Sequence, residues 1–530
     1  MTGFMKKYLI ITSVLLLAIM ILVTAFALYN LRDRHKGYWV ELDIQAPPPA
    51  RIHAGFSAVT ITPEIIDTWT DTNGNFRYNP EEGDTYRDIT GTGMFDAVWM
   101  AGFQNRKPAQ GVHDDLWARA MVLDDGTTRL AWVVLDAIGF FADDIVEARK
   151  RLPANLGVDY AIVSSTHTHS APDLLGLWGP GQFTSGVNPE YKEMVINQII
   201  LSVEQAVTAL RPARFRFATD PAGAASMLGD TRKPIVMNPI INIMQAIDSE
   251  TDSTLGTLVT WDNHPETIWN NNLLITSDYP HFLRKGIEKG IRHNGNLSIK
   301  GLGGTAIFAI GNIGGLMTTH PDIPVECLFT GEVFEEPTFD KVKAQGYNLA
   351  YLAIQALQDE RAVEMETGSI SLRAQSLKLP LDNKLFRLGA AIGLFDRGMS
   401  GWMQFRSEIA YWTMGPASFL HHPSELYPEI AYGGIEAPEK SDFDIPPIEV
   451  PPLQEFMHGD FRFMPGLSND MIGYVVPKSQ WDTKPPYTYS SDSRPYGEIN
   501  SLGPETGPIL HSALLELMGY DKHSFLDTND

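Results

Sequence analysis

An α/β fold is predicted: a single large domain on a mixed, partly parallel β-sheet flanked by helices, preceded by an N-terminal transmembrane helix. Three observations predict it. Residues 8–28 are apolar, and no charged residue stands between Lys7 and Arg32. Thr128 to Asp136 and the run from Tyr160 to His167 read as buried strands, with a charged helical stretch, Ala142 to Leu152, between them, which is the succession of a β-α-β unit. Further strand-like runs, Leu255 to Trp261, Thr305 to Ile310 and Ala417 to Leu420, each end in a polar or glycine-rich turn. Such strand ends are where open α/β sheets bind ligands.

Taken in chain order, residues 1–30 form a membrane anchor or signal segment, since ~20 apolar residues span a bilayer as a helix. Ala25-Phe-Ala27 also offers a small-residue cleavage site. Lys6 and Lys7 precede the apolar run and Arg32, Arg34 and Lys36 follow it, so charge bias does not fix its orientation. If the N-terminus stays inside, both readings place the rest of the chain outside the cytoplasm, in the periplasm or at the cell surface, and secreted if the segment is cleaved. Residues 31–53, polar and ending in Pro47-Pro-Pro49, read as a tether. The domain proper occupies 54–530 and opens with a strand-like run, Ala54 to Pro63.

Within it, residues 66–99 form an insertion of different composition. Asp71, Asn73, Asn75 and Glu82 stand at positions 1, 3, 5 and 12 of a loop, the spacing of an EF-hand-type calcium site. Asp88 to Asp96 repeats the pattern, but Trp99 stands where the last carboxylate belongs, and the first loop lacks the usual glycine. A structural Ca2+ ion is one expectation here, and a solvated Asp/Asn-rich turn is the other. Asn188-Pro189 then opens a helix whose buried stripe is Ile196, Ile200, Val203, Val207 and Leu210. Prolines 438, 446, 447, 451 and 452 make residues 437–453 an irregular loop.

The net charge of −23 argues against a nucleic-acid partner, because phosphate binding needs a basic surface. Cys327 is the only cysteine, so an internal disulfide and a multi-thiolate zinc site are both excluded. A metal would have to be held by imidazole, carboxylate or phenol.

Those groups stand at strand ends. The strand from Tyr160 runs straight into His167 and His169, and in extended chain residues i and i+2 face one way, so both imidazoles would reach one pocket. Asp136 ends the neighbouring parallel strand and is a candidate partner for a ligand histidine. His264 follows another strand, in Asp262-Asn-His-Pro-Glu266, with Pro265 fixing the turn. Glu425 closes Phe419-Leu-His-His-Pro-Ser-Glu425, where His421 and His422 are rival ligands, and Tyr474 ends a turn that begins at Gly466. Each has a plainer reading: His264 as a strand cap, Glu425 as a lysine's ion-pair partner, Tyr474 as a core aromatic.

The order and wording of Gly111-Val-His-Asp-Asp-Leu-Trp-Ala-Arg-Ala120, Thr166-His-Thr-His-Ser170, Asn263-His-Pro265, Pro423-Ser-Glu425 and Tyr496-Gly-Glu-Ile-Asn-Ser-Leu-Gly503 resemble the catalytic domain of the neutral and alkaline non-lysosomal ceramidases. The resemblance runs from about residue 54 to 515. It implies a zinc-dependent amidase that splits ceramide or a related N-acyl lipid. It implies His167, His264, Glu425 and Tyr474 as zinc ligands, His169 as the proton donor that stabilises the oxyanion, and Arg232 as a pocket arginine. One departure bears on substrate. The glycine-rich turn of the family carries a serine with a catalytic role, whereas this chain reads Asn312-Ile-Gly-Gly-Leu-Met-Thr-Thr-His320, with Met317 in the serine position. The expected partners are therefore a lipid or small-molecule amide and, through the first helix, a membrane. A zinc hydrolase of another amide or ester, and a catalytically silent surface-binding homologue, are the rival readings.

Overall fold

The protein is described by a computed structural model covering residues 2–293 and 295–520; the last ten residues of the domain assigned to 54–530 lie outside the described part. Helix α1 spans Thr2–Asn30 and contains a candidate membrane span, Phe4–Asn30. The strands that build the body are, in order, β1 (Glu41–Ile44), β2 (Ile52–Thr60), β3 (Trp117–Asp124), β4 (Arg129–Leu135), β5 (Tyr160–Ser165), β6 (Arg211–Asp220), β7 (Ile241–Asp248) and β8 (Thr254–Trp261). After them come β9 (Thr305–Ile310), β10 (Val363–Met365), β11 (Ile370–Pro380), β12 (Gln404–Met414), β13 (Ala417–His421), β14 (Glu425–Leu426), β15 (Phe461–Phe463) and β16 (Tyr474–Val475). The remaining helices used below are α2 (Ala142–Arg151), α3 (Pro189–Thr208), α4 (Tyr279–Lys289), α5 (Phe339–Gln358) and α6 (Lys384–Ala391).

Two sheets stack face to face. The larger runs β9-β8-β7-β6-β2-β3-β4-β5, with β10 on β6, and the smaller runs β1-β11-β12-β13-β15. The sheets are mixed, as the sequence predicts: β4 pairs parallel with β5 from Leu130↔Tyr160 to Leu135↔Ser165, and β8 with β9 from Gly256↔Thr305 to Trp261↔Ile310. The β-α-β unit is real, with α2 as its crossover. Alternation explains the layering. Along β12, Ala410, Trp412 and Met414 face the larger sheet, while Phe405, Ile409 and Tyr411 face the opposite side. Between the sheets Trp412, Phe419 and Phe463 form an aromatic stack, with ring centroids 3.6 Å and 4.5 Å apart.

Helices cover the outer face of the larger sheet. α3 begins with the predicted cap, Asn188 accepting from the amides of Glu190 and Tyr191 with Pro189 in the first turn. It buries Val195, Ile196, Ile199 and Val203 against β3 and β4. Ile200 and Val207 of the predicted stripe are only partly covered, because the face in contact is rotated toward Ile199 and Ala206. At the other end of the sheet α4 and α5 cover β7, β8 and β9.

The segment 31–53 is not a free tether. Its polar side chains are the partners of charges on the body: Arg406 binds Asp33 at 3.1 Å, and His35 bonds the Asp143 carbonyl at 2.8 Å and Lys150 at 2.9 Å. Glu41–Ile44 then adds a strand to the smaller sheet, antiparallel to β11. Polar composition resembles that of a spacer because ion pairs and an edge strand need the same residues.

One contact fixes how closely α3 lies on the sheet. A Cβ at Gly55 would fall 2.0 Å from the Ala206 carbonyl oxygen. Gly55→Ala is expected to push α3 outward and to cost about 2 kcal/mol or more, within the usual range for overpacking. Chemical denaturation of the two proteins measures it, and equal midpoints would contradict this account of the packing.

Candidate functional site

β5 stops at Ser165, one residue before the His-Thr-His segment. His167 has a left-handed backbone, φ +66°, so the two histidines do not share a face by strand alternation as the sequence suggests. They converge through a turn instead, their rings 4.9 Å apart and steeply inclined. That turn is held by the extension of β4: the amides of Thr166 and His167 donate to the carbonyls of Leu135 and Ala137. His167 Nδ1 lies 2.5 Å from the Ile138 carbonyl, to which it must donate.

His264 is built the same way. Its amide and its Nδ1 both bond the Met317 carbonyl, at 3.0 and 2.7 Å. With both Nδ1 atoms committed to carbonyls, the Nε2 atoms of His167 and His264 turn inward. There they meet Glu425 Oε2 at 3.5 and 3.3 Å. Glu425 is set opposite Tyr474 by the short parallel pair β14 and β16. All four residues are buried.

The electrostatics of this arrangement ask for a cation. Two neutral imidazole lone pairs aimed at a carboxylate oxygen repel it unless positive charge lies between them. With protons alone supplying that charge, burial would raise the Glu425 carboxyl, yet His167 and His264 beside it hold it well below the usual carboxylate range. Burial likewise opposes charge on His264, but Glu425, Glu266 and the Met317 carbonyl outweigh it and raise its pKa. Burial, and after it the Glu425 carboxylate, pushes the Tyr474 hydroxyl far above its ordinary value. The donor set of two imidazoles, a carboxylate and a phenol therefore fits a metal ion. His167, His169 and His264 each offer a ring nitrogen within 4.8 Å of the others, so a buried three-histidine cluster could hold a metal.

His169 differs from the other two. Its Nδ1 lies 2.9 Å from Glu266 Oε2, an ion-pair approach outside hydrogen-bond geometry, and neither ring nitrogen has a hydrogen-bond partner among the described residues. Burial lowers its pKa despite that carboxylate. Burial would raise Glu266, but His169, then His264 and the Thr318 hydroxyl, bring it down to about 2. Sequence reasoning assigned Glu266 no role, although it ends the Asn263-His-Pro-Glu266 motif two residues beyond His264.

Next to this cluster opens a mainly apolar pocket walled by Ile138, Phe141, Leu175, Phe386, Phe395 and Phe405, with His167, His169, Glu425 and Tyr474 also lining it.

Other assigned residues lie elsewhere. Asp136 does not bond a ligand histidine: both its oxygens bind Arg284 at 2.8 Å and it caps the Trp117 amide, while the Ile138 carbonyl two residues on serves His167. Arg232 is no free pocket donor, since its fork grips Glu498 at 2.7 Å twice and the Tyr427 hydroxyl at 2.7 Å. It holds the Tyr496–Ile499 turn, from which Tyr496 reaches the pocket. His421 and His422 are engaged on both nitrogens, by Trp412 and Ser468 and by Ser424 and Asn312 respectively, which removes them as ligands. The Met317 side chain lies in the core, so its position serves the site through its carbonyl alone. In the 71–82 loop Glu82 accepts from the Asn73 and Asn75 amides at 2.7 and 2.8 Å, and Asp71 accepts from the amides of Gly74, Asn75 and Phe76. These bonds satisfy the loop's oxygens within the loop.

The motif resemblance is met by independent comparisons. Residues 82–228 match the family described as neutral/alkaline non-lysosomal ceramidase, N-terminal. The fold matches the crystal structure of neutral ceramidase from Pseudomonas aeruginosa with a TM-score of 0.61 and 16% identity, over 88% of this chain and 74% of that one. A ceramidase complexed with C2 matches with a TM-score of 0.60 and 15% identity, over 88% and 75%. The chain thus has the ceramidase fold.

A buried amine stands near the site. Phe103 packs its ring edge-on to His169 at 5.1 Å, and Lys107 lies over Phe103 with its ammonium 5.2 Å from the ring centre and no hydrogen-bond partner among the described residues. Burial lowers its pKa to about 7. Between that value and the ordinary lysine range the unfolded chain binds the extra proton, so stability from this group rises with pH across the window and is least below about 7. Lys107→Met is therefore expected to stabilise the fold at pH 7 by a few kcal/mol, since each pKa unit is worth about 1.4 kcal/mol, with the gain shrinking toward pH 10. Tm measured at both values tests this, and a gain independent of pH would assign it to packing.

Proposed function

We propose that the protein is a zinc-dependent amidohydrolase that cleaves the amide bond of an N-acyl lipid such as ceramide. The observation that carries this reading is Glu425 Oε2 facing the Nε2 atoms of two histidines whose Nδ1 protons are already committed, beside an apolar pocket. His167, His264, Glu425 and Tyr474 would hold the ion, and an imidazole and oxygen donor set without thiolate suits zinc. Zinc there would supply Lewis acidity toward a carbonyl or water oxygen.

The chain's own side chains account for the proton transfers. The Glu266 carboxylate, 2.9 Å from His169 Nδ1, would stabilise positive charge on the ring, leaving Nε2 to take a proton from the attacking water and return it to the departing amine nitrogen. The apolar walls would take an acyl chain and keep bulk water from the reacting carbonyl. Asp136 and Arg232 act in this reading as supports, one for the β4 end and the other for the Tyr496 turn. A hydrolase of a different amide or ester is the second reading, favoured by one observation: the position of the family's serine is filled by the core side chain of Met317. Calcium in the 71–82 loop is a separate proposal, supported by its residue spacing. We read α1 as an anchor that places the domain outside the cytoplasm.

Purified full-length protein is expected to carry about one zinc per chain. His167→Ala and His264→Ala should each lose it with little change in secondary structure, whereas metal-free parent protein would defeat the assignment. His169→Ala should keep the metal and lose turnover of a fluorescent N-acyl sphingosine by ~100-fold or more, the usual worth of a general acid-base group. Glu266→Gln should lose less and shift the pH profile, because it acts through His169. Loss of zinc in the His169 variant would make that residue a ligand instead.

A further inference from the structure

α6 presents an apolar surface that is not part of the candidate site. Leu385, Leu388 and Ile392 follow one another at helical spacing and are 62%, 47% and 38% exposed, forming an apolar stripe on the outside of the body. Trp402, 79% exposed, lies on the loop whose Met403 carbonyl accepts from the Leu381 amide just before α6. Basic Lys384 and Arg387 stand in the same helix.

What covers this face is indicated by its neighbour. The end of α1 is fastened to α6: Asn30 Nδ2 donates to the Ala391 carbonyl at 3.0 Å, and Asn30 fills the space beside Gly393. Gly398 lies so close to the chain after α1 that a Cβ there would fall 2.4 Å from the Arg32 carbonyl oxygen. Arg34 pairs with Asp396 on the same loop. If α1 spans a bilayer, its last turn marks the bilayer surface, and α6 lies at that level. The inner side of α6 meanwhile carries Phe386, which packs on Phe395 with centroids 5.7 Å apart and walls the pocket of the candidate site.

We propose that α6 and the Trp402 loop form a second membrane contact, seated in the headgroup and acyl boundary of a lipid bilayer, so that one helix separates the lipid from the pocket. Side chains at such a boundary penetrate about 5–10 Å, and Lys384 can reach headgroup phosphates from it, while Arg387 is held by Asp382 and the Leu381 carbonyl. The inference rests on α1 lying in the bilayer and not on the chemistry proposed above.

The test is fluorescence quenching of the full chain in proteoliposomes of phosphatidylcholine and phosphatidylglycerol, with nitroxide labels on the lipid acyl chains. Single cysteines carrying an environment-sensitive dye replace Leu385, Leu388 or Trp402 in a Cys327→Ser background, with Leu16 in α1 and exposed Leu297 as references. The α6 and loop dyes are expected to shift blue and to be quenched by nitroxides near the headgroup more strongly than the Leu297 dye, by a factor of roughly 2 or more for groups at boundary depth. Quenching equal to that at Leu297 overturns the proposal. So does a blue shift without lipid quenching, which would mean that a second copy of the chain covers the stripe. A Leu16 dye untouched by the lipid quencher removes the premise and the proposal with it. None of these readouts depends on turnover, so a failed amidase assay leaves them intact and the converse holds equally.

Discussion

The arrangement on which the site depends is the commitment of two imidazole Nδ1 protons to backbone carbonyls. Ile138 lies three residues past β4 and Met317 closes the 3-10 turn Gly314–Leu316 that follows β9, so the ring orientations of His167 and His264 are fixed by backbone that leaves the larger sheet. Rotating the His167 ring would leave the buried Ile138 carbonyl without its donor, a loss of about 1–3 kcal/mol, whereas the Met317 carbonyl would keep the His264 amide. Glu425 arrives from the opposite side, on a two-residue parallel pair with Tyr474. The space between them is thus defined by three separate backbone frameworks, which hold a set of N and O donors facing one another.

Much of this was legible in the sequence because strand ends announce themselves. The β4-α2-β5 unit, the runs before His264 and the capped start of α3 all show as apolar periodicity followed by a turn signal, and these local patterns survived in the fold. The residues His167, His169, His264, Glu425 and Tyr474 were found through motif wording, and the structure brings them together. Glu266 was overlooked because a lone carboxylate after His-Pro carries no spacing rule; only the 2.9 Å approach to His169 reveals it.

The errors share one physical origin, which is that sequence shows what a side chain can bond but not what it does bond. Asp136 and Arg232 both have the right chemistry for a site and both spend it on buried ion pairs, with Arg284 and Glu498. The same ambiguity made residues 31–53 look like a solvated spacer. His167 illustrates a subtler case: the i, i+2 rule gave the correct neighbour for the wrong reason, since a left-handed residue replaced the expected extended chain.

The closeness of residues 31–44 to the body has a mechanical consequence. With Asp33 on Arg406, His35 on Asp143 and Lys150, and β1 paired into the smaller sheet, no hinge is left between α1 and the domain. The apolar part of α1, residues 8–28, is about 32 Å long at 1.5 Å per residue, close to a hydrocarbon core of about 30 Å, so it would stand nearly upright in an average bilayer and lean in a thinner one. The angle of lean follows bilayer thickness. In a molecule without a hinge, that angle is handed on unchanged to the domain, so the thickness of the surrounding membrane would set the direction in which the pocket faces.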